Sequence, residues 1–200
     1  MRQFVATLFF AALFLLAGCT GDPRDPTIGK SEMANSAADT VPNAPPKYVI
    51  RKATFYGITP GLEFTEVSDR LEKGMLDTPD GPLPVYFIRG RSGERLGYVL
   101  PSVRDSTLVG DIHITTATAA TEGDIRVGHT FARLCIAYPK IMIRGSEIPG
   151  RTYAYSTNKA FGLRDFTSTE TTIDTSGVPP TTRISEIVLI DRTPAPPLAI

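Results

Sequence analysis

The segment between Thr20 and Pro46 limits where this chain of 200 residues can fold. It contains five prolines and no aromatic residue, and Ala, Ser, Asn and Asp recur along it. Such a segment cannot bury enough apolar surface to offset the entropy that it loses on ordering. We therefore expect residues 19–46 to be a disordered tether with a reach of about 30 Å. The prolines are Pro23, Pro26, Pro42, Pro45 and Pro46.

The residues before the tether have the pattern of an export signal. Arg2 precedes an apolar run from Phe4 to Leu16 that is too short to span a bilayer. The run ends in Leu-Ala-Gly-Cys19, which resembles the lipobox of bacterial lipoproteins. We predict a signal peptide over residues 1–18 and a lipid on Cys19; an ordinary secretory signal or a buried apolar helix is the alternative. By resemblance to lipoprotein sorting, Thr20 implies the outer membrane, facing the periplasm, in a Gram-negative cell.

The charge balance argues against a nucleic-acid partner. The chain has 21 Lys and Arg residues and 21 Asp and Glu residues, and loss of the signal peptide removes only Arg2. Neither sign is in enough excess to attract a polynucleotide or an anionic membrane over a long range. The expected partners are the membrane, through the N-terminal lipid, and an envelope protein or the cell wall.

From Lys47 onward the sequence changes to short β-type runs and two brief helical signals. Phe64, Val67 and Leu71 have the spacing of one helix face, and Gly74 offers a place for that helix to end. Predicted strands follow at residues 85–88, 96–100 and 109–114. The domain is expected to cover residues 47–193, and residues 194–200 form a Pro-rich tail that cannot extend a central strand.

Residues 121–192 repeat the order of elements predicted for residues 47–116. We therefore predict an α+β domain in which two tandem repeats, each a short helix followed by antiparallel strands, pack together. Chance similarity between short amphipathic helices is the alternative. When the two segments are aligned so that Gly61 matches Gly128, four further positions match. These are Ile58 with Ile125, Phe64 with Phe131, Val67 with Leu134 and Leu71 with Tyr138.

The segment 123–134, with the sequence GDIRVGHTFARL, resembles a YfeY-like family of bacterial envelope lipoproteins that are described as sigma-E-regulated and of unknown function. The likeness extends to the lipobox, to residues 96–99 and to residues 184–187. The family has a cysteine pair in the C-terminal half, where this chain has only Cys135. More distantly, the motif is similar to repeats in the small lipoprotein of the outer-membrane β-barrel assembly machine and in β-lactamase inhibitor proteins. This similarity implies a binding module.

The candidates for chemistry are few. Neither His113 nor His129 has a partner at metal-ligand spacing, so we expect no metal and no cofactor. Asp111 and His113 project from the same face of a strand, either as an acid/base pair or as an exposed polar face. The Thr130 hydroxyl is expected to cap the second helix. Cys135 lies on the apolar face of that helix and is interpreted as an inert buried thiol.

Three arginines near the first predicted hairpin, Arg89, Arg91 and Arg95, are candidates for surface binding of a phosphate, a lipid head group or the carboxylates of a cell-wall peptide. Solvated side chains at a hairpin tip are the alternative. No local motif of a nucleophile with its base is present. The sequence therefore favours a non-enzymatic envelope binding or assembly module. A periplasmic hydrolase or transferase with a dispersed site, or an inhibitor of a secreted enzyme, is the alternative.

Overall fold

The computed structural model describes residues 44–146 and 151–192. The predicted signal peptide, the predicted acylation site Cys19, most of the predicted tether and the Pro-rich tail lie outside the described residues. Within the described part of the chain, no helix has the length and hydrophobicity that crossing a membrane requires.

Short strands dominate the described residues. One α-helix, α1 (Phe131–Ala137), and two 3₁₀ helices (Phe64–Arg70 and Thr175–Gly177) accompany them. The strands are β1 (Tyr48–Arg51), β2 (Thr54–Phe55), β3 (Leu71–Thr78), β4 (Gly81–Arg89), β5 (Arg95–Pro101), β6 (Val109–Ile114), β7 (Ala119–Thr121), β8 (Met142–Arg144), β9 (Tyr153–Tyr155), β10 (Lys159–Arg164) and β11 (Arg183–Leu189).

Eight of these strands form one antiparallel sheet in the order β3-β4-β5-β6-β11-β10-β9-β8. The central pair, β6 with β11, joins the two parts of the chain, since Ile114 lies opposite Ile187 and Ile112 opposite Leu189. A small sheet with the order β2-β1-β7 contains the parallel pair of β1 and β7. The two predicted halves therefore share one continuous sheet.

The hydrophobic core lies on one face of the eight-stranded sheet. Ile114, Ile187 and Phe161 lie opposite one another on β6, β11 and β10, and all are fully buried. Phe131 and Leu134 of α1 belong to the same cluster of buried side chains. Burial of each such side chain contributes about 1.5–3 kcal/mol, so this face supplies much of the stability.

The predicted α+β class is wrong, because the described residues form a mostly β protein. The first predicted helix is a 3₁₀ segment that ends at Arg70, and the chain continues directly into β3. Gly74 lies inside this strand and does not end a helix. An added Cβ there would lie 2.6 Å from the Phe87 ring, so glycine makes room for packing across β3 and β4.

The predicted tandem repeat is also wrong, since only the second half contains an α-helix and the first half begins with the β1–β2 hairpin. The similarity that suggested a repeat is local. Gly61 and Gly128 have φ of +89° and +91°, a conformation that favours glycine. Their N–H groups donate to the carbonyls of Val109 and Ile184, at 2.7 and 2.8 Å.

Candidate functional site

One row of side chains crosses all eight strands on the sheet face opposite the core. Residues that pair directly across neighbouring strands project to the same side, so the register places them together. None of these side chains belongs to the core cluster. In strand order the row is Glu72, Phe87, Tyr98, His113, Val188, Ala160, Tyr155 and Met142.

The sheet curves around this row. Asp80, in the turn between β3 and β4, forms an ion pair with Arg151 before β9, with Oδ2 and Nη2 3.3 Å apart. In a flat sheet β4 and β9 would be about 24 Å apart, because neighbouring strands are about 4.8 Å apart. An ion pair between their ends therefore shows that the sheet, or the end of the β3–β4 hairpin that is not paired with β5, bends toward β9. We call this surface, the row together with Arg144, Tyr153 and Glu186, the concave face.

A hydrogen-bonded polar cluster lies in the middle of the concave face. His113 Nδ1 is 2.9 Å from Glu186 Oε2, and the Tyr153 hydroxyl donates to Glu186 Oε1 at 2.7 Å. The His113 ring stacks on Tyr98, with 4.4 Å between ring centroids and 8° between planes. The side chains of His113 and Glu186 are only 12% and 16% exposed. Gly162 lies between Glu186 and Tyr153 in the register, and its missing side chain leaves them room to meet.

The electrostatics fix the protonation of the cluster around Glu186. Burial raises the pKa of this carboxyl, but hydrogen bonds from His113, Tyr153 and Tyr98, with the positive charge of His113, outweigh burial and lower it overall. Burial and the negative charge of Glu186 raise the pKa of Tyr98 and of Tyr153. The carboxylate is therefore ionised at neutral pH, and both hydroxyls keep their protons as donors.

Two arginines on the concave face lie over aromatic rings. The Arg95 guanidinium is 3.6 Å from the centroid of Phe87, and that of Arg144 is 5.8 Å from the centroid of Tyr155. Neither arginine has an ion-pair partner within residues 44–146 and 151–192. Stacking holds each cation near the surface while its charge remains available to a partner.

The structure does not pair Asp111 with His113, the acid/base arrangement that the sequence left open beside an exposed polar face. Asp111 Oδ1 accepts a hydrogen bond from the backbone N–H of Asp191 at 2.7 Å, which is an architectural role. The carboxylate partner of His113 is Glu186, 73 residues further along the chain. No local sequence signal identifies Glu186, because the pair depends on the order of β6 and β11 in the sheet.

The remaining candidates near α1 are structural. His129 is 2% exposed, and its Nδ1 accepts a hydrogen bond from the backbone N–H of Arg126 at 3.3 Å. Thr130 is the N-cap residue of α1, but its hydroxyl makes no capping bond, so that prediction is wrong. Cys135 is half-buried beside the core, and burial raises the pKa of its thiol. Among the described residues, no His, Cys, Asp and Glu side chains are grouped to hold a metal ion.

Arg89 pairs with Arg95 across β4 and β5, and Glu72 is bonded to Arg89 and also interacts electrostatically with Arg95. Arg95 stacks on Phe87 of the concave face, whereas Arg89 and Arg91 also border a cleft beside the start of β3. Arg70, which the sequence did not single out, lines the same cleft from the end of the 3₁₀ helix. It is the fold that brings Arg70 and Arg89 together.

The fold and the site define a mostly β protein with one large antiparallel sheet, which packs a core against one face and carries aromatic and charged side chains on the other. On that second face Phe87 is buried, and Tyr98, His113 and Tyr155 are partly buried. The crystal structure of the uncharacterized protein YfeY from Escherichia coli is similar, with a TM-score of 0.40 and 9% sequence identity. The match covers 66% of this chain and 92% of that chain, and it concerns the fold alone. No protein-family model and no curated protein matches the sequence.

Proposed function

We propose that this protein is a non-enzymatic binding module of the bacterial envelope. In this proposal it is exported, anchored to the membrane by an acylated Cys19, and holds an acidic segment of a partner protein on its concave face. The observation that carries the proposal is the row of aromatic side chains with Arg95 and Arg144 beside it, two arginines that form no ion pair within the described residues.

The composition of the concave face supports this choice of partner. Tyrosine and arginine are enriched at the energetic centres of protein interfaces, and phenylalanine is enriched in their buried cores. The hydrogen bonds of Glu186 and the stacking of Tyr98 on His113 hold the side chains before a partner arrives, which lowers the cost of binding. Since Glu186 is engaged by His113, the free positive charges of Arg95 and Arg144 favour carboxylates on the partner.

Site-specific photocrosslinking in living cells tests the concave face as a binding surface. A photoreactive residue in place of Tyr155 is expected to give one discrete crosslinked product. The same substitution at Ile136, which is 84% exposed on α1, is the matched control and is expected to give none. Equal crosslinking from both positions, or none from Tyr155, would contradict the proposal.

Attachment to the membrane has a separate test at Cys19. Replacement of Cys19 by alanine is expected to abolish incorporation of labelled fatty acid and to release the protein from sedimenting vesicles, because the thiol is the site of acylation. Cys135→Ala is the control and is expected to retain both the label and the sedimentation. Unchanged labelling in Cys19→Ala would rule out the anchor while leaving the concave-face proposal standing.

A second candidate function, a hydrolase or transferase, is favoured by the pairing of His113 with Glu186. A histidine held by an ionised carboxylate has the arrangement of a general base, and the Tyr153 hydroxyl lies on the same carboxylate. Turnover of a cell-wall or lipid substrate by the purified protein, lost in His113→Ala and retained in His129→Ala, would replace the binding proposal with this one.

A further inference from the structure

A cleft of about 700 Å³ lies where β3 begins and β4 ends, at the opposite end of this hairpin from the Asp80 turn. It is bordered by three arginines, one aspartate and the turn that follows β2. A cleft of this volume is in the range that holds a small organic ligand. Its lining includes Tyr56, Gly57, Asp69, Arg70, Arg89 and Arg91.

Two of the arginines are held in place by the protein. Arg70 Nη1 donates to the Gly57 carbonyl at 3.1 Å, and its Nε lies 3.5 Å from Asp69 Oδ2. Arg89 donates through Nε to Glu72 at 2.5 Å and through Nη1 to the Gly93 carbonyl at 3.3 Å. Arg70 uses one N–H donor in a hydrogen bond and Arg89 uses two, so the other N–H groups of both guanidinium groups remain for a ligand. Because both groups are anchored, little freedom is lost when an anion binds.

The charges around the cleft favour an anion. Arg70, Arg89 and Arg91 are close to the carboxylates of Asp69 and Glu72, and a third carboxylate, that of Glu94 beside Gly90, is paired with Lys47. One positive charge therefore remains in excess. Arg91 is exposed and has no ion-pair partner in the two described ranges of the chain. An anion that bridges the guanidinium groups would therefore be attracted overall. The Asp69 carboxylate repels it and reduces this attraction.

The backbone at the edge of the cleft is shaped around the Arg70 guanidinium. Tyr56 and Gly57 both have positive φ, +51° and +75°, which is unusual for tyrosine. A Cβ at position 57 would lie 2.5 Å from Arg70 Nη1, so a larger residue there would displace the guanidinium from the Gly57 carbonyl. The Tyr56 ring is fixed edge-on against Tyr48, with 5.6 Å between centroids. Unfavourable backbone conformations of this kind are concentrated at ligand sites.

We propose that this arginine cleft, defined by Tyr56, Arg70, Arg89 and Arg91, binds the phosphate group of a phosphate ester. Guanidinium groups pair with phosphate oxygens through two parallel hydrogen bonds, and several converging donors suit a tetrahedral anion. The remaining volume and the Tyr56 ring accommodate the organic part of the ester. The phosphate comes either from a phospholipid head group or from a soluble ester, and the site makes the same contacts with both.

Titration of the purified protein with glycerol 3-phosphate, followed by amide NMR shifts, tests the cleft directly. We expect saturable shifts at Tyr56, Gly57 and Gly90 and none at Gly123. Arg91→Ala is expected to weaken binding about tenfold or more without affecting folding, since Arg91 has no described partner. Arg164→Ala, another exposed arginine, is the control and is expected to bind as the wild type does.

Vesicles distinguish the two sources of phosphate. Arg91-dependent recruitment to phosphatidylglycerol vesicles, and not to phosphatidylcholine vesicles, assigns the site to a lipid head group. Binding of glycerol 3-phosphate without recruitment assigns it to a soluble ester. The proposal is overturned if neither probe binds at millimolar concentration, if Arg91→Ala binds unchanged, or if acetate shifts the same amides at the same concentrations.

Discussion

Replacement of Glu186 by alanine is expected to lower the free energy of unfolding by about 3 kcal/mol. The change leaves His113 without its carboxylate and Tyr153 without its acceptor, in a cluster whose side chains are mostly buried. An unpartnered buried donor loses its hydration without compensation, which is the source of the cost. Chemical denaturation at neutral pH measures the effect. Glu170→Ala, at an exposed position, is the control and is expected to stay within about 0.5 kcal/mol of the wild type.

The loss of stability in Glu186→Ala is also expected to depend on pH. The pKa of Glu186 is lowered in the folded protein from the ordinary value of 4.5, so its ionised form contributes stability at and above that pH. This contribution is lost as the pH falls through the lowered folded value. The difference in unfolding free energy between wild type and Glu186→Ala is therefore expected to shrink as the pH falls below 4.5. A difference that grows as the pH falls below 4.5 would contradict this expectation.

Gly97→Ala is expected to destabilise the protein by about 3 kcal/mol or more. A Cβ at this position would lie 2.0 Å from the carbonyl oxygen of His113 and 3.0 Å from the Cα of Ile114. Both are backbone atoms of β6, so no side-chain rotation relieves the clash. β5 and β6 must therefore separate. That separation also disturbs the stacking of Tyr98 on His113.

Gly123→Ala provides the matched control for Gly97→Ala. Its added Cβ would lie 3.4 Å from the nearest atoms, the side chains of Ala137 and Tyr138, which can adjust. We expect a change within about 0.5 kcal/mol there. Thermal or chemical denaturation gives the free energy of unfolding of both variants. Equal stability of the two would contradict the close approach of β5 and β6 at Gly97.

The sequence predicts the strands that alternate between core and concave face. The predictions at residues 96–100 and 109–114 correspond to β5 and β6, where Val99 and Ile112 face the core while Tyr98 and His113 face away. Alternation is a local signal that depends only on which face is buried. The sequence does not predict β3 as a strand. β3 lies at the edge of the sheet and none of its residues is fully buried, so its sequence lacks a clear alternation of apolar and polar residues.

The concave face was beyond local prediction because it depends on strand order. His113 meets Glu186 only because β6 pairs with β11, and sequence spacing carries no information about that pairing. The arginine cleft has the same origin, since Arg70 and Arg89 belong to different elements that the fold brings together. Side-chain type indicated the chemistry of these arginines, and the tertiary structure decided which of them share a site.

We propose that the concave face binds a partner through its aromatic row and through Arg95 and Arg144. The most direct test is the dissociation constant between the purified protein and the partner captured from position 155. Arg95→Glu combined with Arg144→Glu is expected to weaken binding at least about tenfold, and Arg164→Glu is expected to leave it unchanged. Wild-type affinity in the double variant would contradict the account.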